Sequence, residues 1–252
     1  MQSVNSLAME ERVEWLRAEL RSTGSVSLAD AAEALGVSEM TVRRDLRQLE
    51  NEGVARRVRG GARHTEPASF QRRESARAAE KRLIAEKLLP LVPAQGLVVL
   101  DSSTTMYRLA ALIPSAVSLT VLTNNIQTFQ VLQGRPGVTA ELTGGRFDER
   151  SDSLIGPLAE ATVEQLTPDV FFASTGGIDG GTCFESTVEE AALKKVCARV
   201  SHRTVLGADS AKLDARDRAA SVALEDVTTL CTELEPDDPQ LEEYRKRVRR
   251  LL

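Results

Sequence analysis

Residues 27–63 read SLADAAEALGVSEMTVRRDLRQLENEGVARRVRGGAR, and the order of caps, apolar stripes and glycines in this stretch decides how the first quarter of the chain folds. Ser27 stands three residues before Asp30 in capping-box spacing and is followed by a stripe of Leu28, Ala31, Ala32 and Leu35, so a helix starts here. Gly36 ends it, because a residue without Cβ turns the chain left-handed at no steric cost. Ser38 caps the next helix, whose buried stripe is Val42, Leu46 and Leu49; Glu39, Thr41, Arg43, Arg44 and Arg47 remain for its other faces. Upstream, Val13, Leu16 and Leu20 predict a further helix with a narrow stripe, and Trp15 is expected in the same core. Two helices joined by a short glycine turn, the second presenting Ser, Thr and Arg near its start, make a helix-turn-helix suited to a major groove. After Gly53, VARRVRGGAR predicts two strands folding back at Gly60 and Gly61, a basic wing carrying Arg56, Arg57, Arg59 and Arg63.

The 252 residues carry 32 basic and 37 acidic groups, a net −5 that argues against a nucleic-acid partner if evenly spread. It is not even. Residues 40–77 hold 10 basic and 5 acidic groups, so this segment is +5 and the remainder −10. Its basic groups are all arginine, the side chain best matched to phosphates and guanine edges. Arginine outnumbers lysine 26 to 6 along the whole chain, however, so the preference by itself carries no functional weight. Cys183, Cys197 and Cys231 are too few and too irregular for a disulfide framework or a zinc site, and they read as buried small hydrophobes in a reducing compartment. No metal and no cofactor are expected. No apolar run reaches the ~18 residues of a membrane span, and the start MQSVNSLAMEERVEW lacks signal-peptide order, so a cytoplasmic protein without a membrane partner is expected.

The polar stretch HTEPASFQRRESARAAE, with Pro67 inside it, predicts a linker over 65–80 that feeds a helix through Leu83, Ile84 and Leu88. Beyond it, apolar runs of strand length recur at GLVVLD, SLTVLTN, VTAELTGG, VFFASTGG and RTVLGAD, separated by helical stretches such as LIGPLAEATVEQL and TVEEAALKKVCARV. Alternating strand and helix implies an α/β domain with a parallel, Rossmann-like sheet, whose ligands sit outside the carboxyl ends of the strands. The runs end in Asp101-Ser102-Ser103-Thr104-Thr105, Thr123-Asn124-Asn125, Gly144-Gly145, Thr175-Gly176-Gly177 and Asp209-Ser210-Ala211-Lys212. Small hydroxyls, approachable glycines and one lysine form a candidate phosphate cradle, with Lys212 as its positive charge. Asp101 and Asp209 would repel a phosphate, so they are expected to hold sugar hydroxyls or orient loops. The tail PDDPQLEEYRKRVRRLL places Leu241, Tyr244, Val248 and Leu251 on one stripe and predicts a C-terminal packing or dimer helix.

The string from Ser27 onward resembles the DeoR-type family of bacterial transcription regulators, whose helix-turn-helix carries a similar Ser-x-x-Thr-Val-Arg-Arg-Asp-Leu core, here Ser38 to Leu46. Leu49-Glu50, Gly53 and Gly60-Gly61 also fall where the family places them. The second half resembles the family's sensor domain, related in fold to ribose-phosphate isomerases, glucosamine-phosphate deaminases and CoA transferases. The resemblance spans about residues 10 to 235 and leaves the tail outside. It implies a winged helix-turn-helix over 8–64 with the motif itself at about 25–44, a linker over 65–80, an effector-sensing domain over 81–235, and a C-terminal helix or tail over 236–252.

By that resemblance the DNA-reading residues are Ser38, Thr41, Arg43, Arg44 and Arg47, joined by Arg57 and Arg59 of the wing. The effector residues are Asp101, Ser102, Ser103, Thr104, Thr105, Thr123, Asn124, Gly144, Gly145, Gly176, Gly177, Asp179, Asp209 and Lys212. One position departs: the family usually has glycine where this chain has Ser103, which is less free to adopt positive φ. The implied function is sequence-specific regulation, usually repression, at double-stranded operator DNA by a homo-oligomer, dimer or tetramer, under control of a phosphorylated sugar or related metabolite. The plain alternative for Arg43, Arg44 and Arg47 is a solvated helix face paired with Asp45 or Glu50. Asp45 is itself expected as an intramolecular partner for an arginine. A second functional class, a sugar-phosphate isomerase or deaminase with an accessory DNA-binding module, needs a positioned general acid or base. Asp101, Asp179 and Glu185 are available, but neither His64 nor His202 falls at a strand end, and the expectation is a protein without catalysis.

Overall fold

The structure is a computed structural model describing residues 9–51, 55–64 and 70–252, and the chain divides into two compact units between Ala68 and Ser69. Gly53 and residues 65–69 of the expected linker lie outside the described residues.

In the first unit α1 (Met9–Thr23), β1 (Ser25–Ser27), α2 (Leu28–Leu35) and α3 (Glu39–Asn51) precede a hairpin of β2 (Ala55–Val58) and β3 (Gly61–His64). The local signals act as expected. Ser27 Oγ accepts from the Asp30 amide at 3.5 Å, and Ser38 Oγ accepts from the Thr41 amide at 3.2 Å. Gly36 adopts φ 64, the left-handed conformation that closes α2. Val13, Leu16 and Leu20 of α1 meet Leu28, Ala31 and Leu35 of α2 and Val42, Leu46 and Leu49 of α3 in one core, with half-buried Trp15 against it. A strand the periodicity did not announce completes the unit: β1 pairs antiparallel with β3, giving the order β1-β3-β2. Three residues before a helix cap are too few to show alternation.

The second unit opens with α4 (Phe70–Ser75) and α5 (Ala78–Leu88) and continues through β4 (Gln95–Leu100), α6 (Thr104–Leu112), β5 (Ser118–Thr123), α7 (Ile126–Leu132) and β6 (Val138–Leu142). Then come the hairpin β7 (Arg146–Asp148) and β8 (Ser153–Ile155), α8 (Pro157–Glu164), β9 (Val170–Ala173), β10 (Gly177–Asp179), β11 (Thr182–Glu185) and α9 (Val188–Val200). β12 (Thr204–Gly207), β13 (Ala219–Ala223), β14 (Thr229–Cys231), α10 (Glu242–Arg245) and β15 (Arg250–Leu251) finish it.

Seven strands form one sheet in the order β15-β14-β12-β9-β4-β5-β6, and every pairing in it is parallel. Successive strand residues face opposite layers. Val99 and Phe171 pack with Ala159 and Val163 of α8 and Leu193 and Val196 of α9, while Val98, Leu100 and Phe172 pack with Ile84 and Leu88 of α5, Met106 and Leu109 of α6 and Leu132 of α7. Cover on both faces is why the runs of the inner strands β4, β9 and β12 are continuously apolar, whereas edge strand β6 alternates between half-buried and exposed residues. All three cysteines are buried in these layers, where burial pushes each thiol up to about 12. A small antiparallel sheet, β10-β11-β13, lies outside the main alternation.

Three expectations are corrected. The segment read as a linker is helical from Phe70 and belongs to the second unit; its charged residues masked one buried aromatic, Phe70, which meets the Tyr107 ring edge-on at 5.1 Å. Leu83 is not on the buried stripe of α5, being 47% exposed, and Ala85 takes the position beside Ile84 and Leu88. The tail is not one helix. Leu241 and Tyr244 are buried, but α10 is a single turn, and β15 runs parallel along β14, with the Leu252 amide donating to Leu230 O at 2.9 Å and the Thr232 amide to Leu252 O at 3.0 Å. An unpaired strand edge needs backbone partners, which a helix packed on side chains does not supply. Among the described residues no helix is long and apolar enough to cross a membrane.

These placements predict opposite outcomes for two leucines. Leu46→Ala removes a side chain with no exposure from the first core and should cost about 2–5 kcal/mol, whereas exposed Leu83→Ala should stay within about 0.5 kcal/mol, both read from denaturant-induced loss of helical circular dichroism.

Candidate DNA-binding face and effector site

Helix α3 buries Val42, Leu46 and Leu49 completely and leaves Arg43, Arg44 and Arg47 exposed. Ser38 and Thr41 stand at its start with their hydroxyls 3.0 Å apart. A groove of about 250 Å³ separates the helix from the wing, lined by Arg43 on one side and Arg57, Val58, Arg59 and Gly60 on the other. Asp45 does not neutralise this face. It is 1% exposed and accepts from Arg12 Nε of α1 at 2.8 Å, so the arginine partner expected for it lies inside the unit. Arg57 is partly committed as well: its Nε meets Glu50 Oε2 at 2.5 Å, tying wing to helix and holding the Glu50 carboxyl below its usual range. Arg56, Arg59 and Arg63 are exposed. The sequence reading passed over Met40, which is 76% exposed at the head of α3; the signal was an apolar residue off the buried stripe.

At the carboxyl ends of the strands, one buried ammonium organises the loops. Lys194 of α9 lies 3.0 Å from Asp101 Oδ2 after β4 and 2.7 Å from Glu185 Oε2 at the end of β11, and donates to Ser174 O at 2.7 Å after β9. Burial alone would lower its pKa, but the two carboxylates outweigh that and hold it raised. Asp101 also accepts from the Ser103 amide at 2.9 Å and the Ser174 amide at 2.8 Å, the loop-orienting role expected of it. Ser103 sits at φ −77 and caps α6 through the Met106 amide at 3.2 Å, so no glycine is required there. Ser102 is buried beside it, and Thr104 and Thr105 are buried in the first turn of α6.

After β5, Thr123 Oγ1 accepts from the Asn125 amide at 3.1 Å, and the Asn124 side-chain amide donates to Leu154 O at 3.2 Å. After β12, Lys212 Nζ donates to Ser174 Oγ at 2.9 Å and stands 3.7 Å from Asp209 Oδ2, with burial pulling the ammonium down. Ser174 thus bonds to Asp101, Lys194 and Lys212 at once. A narrow recess with room for about one water lies among Asp101, Ser102, Asn124, Thr143, Glu190 and Lys194.

Other expected residues have different surroundings. Gly144 and Gly145 form the turn between β6 and β7. Gly176 and Gly177 are packing positions: a Cβ on Gly177 would stand 2.3 Å from Ala215 O, and one on Gly176 2.7 Å from Asp217 Oδ2. Asp179 lies on β10 of the small sheet, where burial, the Asp214 bond and its own charge raise the Tyr244 phenol to about 12. Lys194 and Ser174 were not singled out from sequence. The signal for Lys194 was a lysine on the stripe that carries Ala191 and Cys197, all three buried.

Comparison with known proteins gives matches to both units of the chain. A family model described as DeoR-like helix-turn-helix domain matches residues 12–68, and one described as DeoR C terminal sensor domain matches residues 76–234. The chain belongs to the DeoR family of helix-turn-helix transcription regulators, with an N-terminal DNA-binding domain and a C-terminal sensor domain. It is 31% identical over 236 residues to the lactose phosphotransferase system repressor of Streptococcus mutans, covering 91% of this chain and 94% of that protein. It is also 31% identical over 229 residues to the L-fucose operon activator of Haemophilus influenzae, covering 89% and 90%. A ribose 5-phosphate isomerase from Methanocaldococcus jannaschii superposes on 53% of each chain with a TM-score of 0.39 at 10% identity.

Lys194→Ala should lower stability by about 3–5 kcal/mol, because it strands Asp101 and Glu185 in the interior. Adding Glu185→Gln to that variant should recover part of the loss in a double-mutant cycle of urea unfolding, since one stranded charge is then gone.

Proposed function

We propose that the protein represses transcription by placing the start of α3 in the major groove of a double-stranded operator, and that a phosphorylated sugar or related metabolite at the strand-end pocket controls its DNA affinity. The observation that carries this reading is the face of α3, with three exposed arginines and two capping-turn hydroxyls opposite a fully buried stripe. Arg43, Arg44 and Arg47 read bases and phosphates, while Arg59 and the free edge of Arg57 grip the backbone from the wing. A helix of this length reads few bases, so a two-fold homo-oligomer on paired half-sites doubles the contact. A cytoplasmic location follows from that partner.

The two relatives are named for lactose and L-fucose systems, which supports a sugar-derived effector. Lys212, Asn124, Ser102 and the first turn of α6 supply the donors, and Asp101 and Asp209 hold the loops in place. The pocket binds without converting. Of the three carboxylates available for a proton transfer, Asp101 and Glu185 are engaged by Lys194, Asp179 lies on β10 of the small sheet, and exposed His202 precedes β12 at the opposite end of the strand. Ligand changes DNA affinity only through different affinity for DNA-competent and incompetent states.

Operator binding should weaken steeply with salt, with a log–log slope of about −0.9 per neutralised phosphate; a salt-insensitive complex contradicts the proposal. Arg43→Ala and Arg44→Ala should abolish operator binding in a gel-shift assay and retain thermal stabilisation by sugar phosphates. Lys212→Ala should do the reverse, and joint failure of both functions in both variants contradicts the division of labour.

A further inference from the structure

The two outer strands of the seven-stranded sheet are finished differently. β15 is only two residues long and carries exposed Arg250, the short, charged finish that keeps a sheet from adding strands. β6 reads Val138-Thr139-Ala140-Glu141-Leu142, five residues with no proline, no lysine and a single charge. On its inner side the Leu119 amide of β5 donates to Gly137 O at 2.9 Å, and the Thr143 amide donates to Thr123 O at 3.1 Å. The N–H and C=O of one strand residue point the same way and alternate along the chain. These bonds therefore turn Gly137, Thr139, Glu141 and Thr143 toward β5, and Val138, Ala140 and Leu142 outward. The Val138 amide is taken locally by Arg135 O at 3.2 Å. Among the described residues no strand pairs with the outer side of β6, so the Val138 carbonyl and both backbone groups of Ala140 and Leu142 have no ladder partner. The side chains of Val138 and Ala140 pack against the layer of α6 and α7, while Thr139 and Glu141 are exposed on the other face.

We propose that the outer edge of β6 is the interface between two copies of this chain, joined antiparallel across a two-fold axis at Ala140 so that the two sheets become one. The occupant is a second copy because the strand is complementary to itself in this arrangement. Ala140 donates to and accepts from its counterpart, and each Leu142 amide donates to the Val138 carbonyl of the other copy, so every outward donor of the strand finds an acceptor. On the exposed face Thr139 stands opposite Glu141 of the other copy, in the pair type whose side chains lie closest. The hydroxyl donates to the carboxylate there, twice per dimer, and the strand's one charge meets a donor instead of its like. The assignment rests on the two-fold homo-oligomer proposed above and supplies the surface that forms it.

The test uses the full chain. Thr139→Cys combined with Glu141→Cys sets a thiol of one copy opposite a thiol of the other at about 4.5 Å between Cα atoms, within disulfide reach, whereas either substitution alone leaves its two thiols on opposite sides of the axis. Oxidation with diamide should give a covalent dimer on a non-reducing gel from the double variant and not from the single ones. Cys183, Cys197 and Cys231 are buried and do not compete. Sedimentation equilibrium gives a second readout. Ala140→Pro removes an outward N–H without breaking a bond to β5, and should weaken self-association by about tenfold or more with the circular dichroism spectrum unchanged. Thr139→Asp sets like charges opposite each other and should weaken it by about threefold or more, while Thr139→Lys should retain or tighten it, a reversal of sign that loss of structure does not produce. An oligomer whose double-cysteine variant does not cross-link, or whose mass survives both Ala140→Pro and Thr139→Asp, overturns this edge and leaves the homo-oligomer standing on another surface. Equal cross-linking by the single variants overturns the register and the proposal with it. A chain that is monomeric both free and on operator DNA overturns the interface and the paired half-site reading together.

Discussion

The buried ammonium of Lys194 is the interaction on which the sensor domain's working end depends. A parallel sheet ends in loops that belong to different crossovers, and nothing in the ladder itself holds those loops in register with one another. Lys194 reaches from α9 to the loop after β4, the end of β11 and the carbonyl after β9, so three otherwise independent segments share one charge. Its desolvation is offset only because two carboxylates face it and each finds further donors, Ser103 and Ser174 amides for Asp101 and the Ser221 hydroxyl for Glu185. Two of the three acids that look available for catalysis in the sequence, Asp101 and Glu185, are thereby spent on architecture.

The DNA-binding domain solves the converse problem of leaving charge uncommitted. Asp45 sits among the arginines in sequence, yet in the helix it faces inward and meets Arg12 of α1. That pairing satisfies a buried carboxylate and also keeps it from cancelling the charge on the outer face of α3. Glu50 does engage an arginine, Arg57, and in doing so fixes the wing against the helix. One acidic residue is thus used for the core and another for the angle of the wing.

Net charge of −5 conceals this arrangement because the relevant quantity is where charge stands. The +5 of residues 40–77 includes the exposed face of α3 and the wing, but it also includes Arg73 and Arg77, which belong to the sensor domain. There Arg73 donates to Ser151 O, and Arg77 pairs with Asp209 and Glu233. A basic stretch in the sequence therefore divides between two destinations, and the boundary falls within what composition alone reads as a polar linker.

Local rules made much of this protein legible from its residues. Ser27, Gly36 and Ser38 act through bonds to backbone within a few positions, so caps, turn and the stripe of α3 follow from spacing, and the continuous apolar runs of β4, β9 and β12 flanked by helical stretches require strands covered on both faces. The strand-end loops were placed for the same reason, since each begins where an apolar run stops. What local spacing does not contain is the partner of a group that bonds far along the chain. Short β1 and β15 exist because edges elsewhere offer unpaired backbone, Phe70 is buried because Tyr107 meets it, and Lys194 is charged inside the core because Asp101 and Glu185 arrive from distant segments. The sequence by itself determined the elements and the ends at which chemistry collects; the tertiary structure alone decided which charges are paired, because pairing depends on distances that the fold creates.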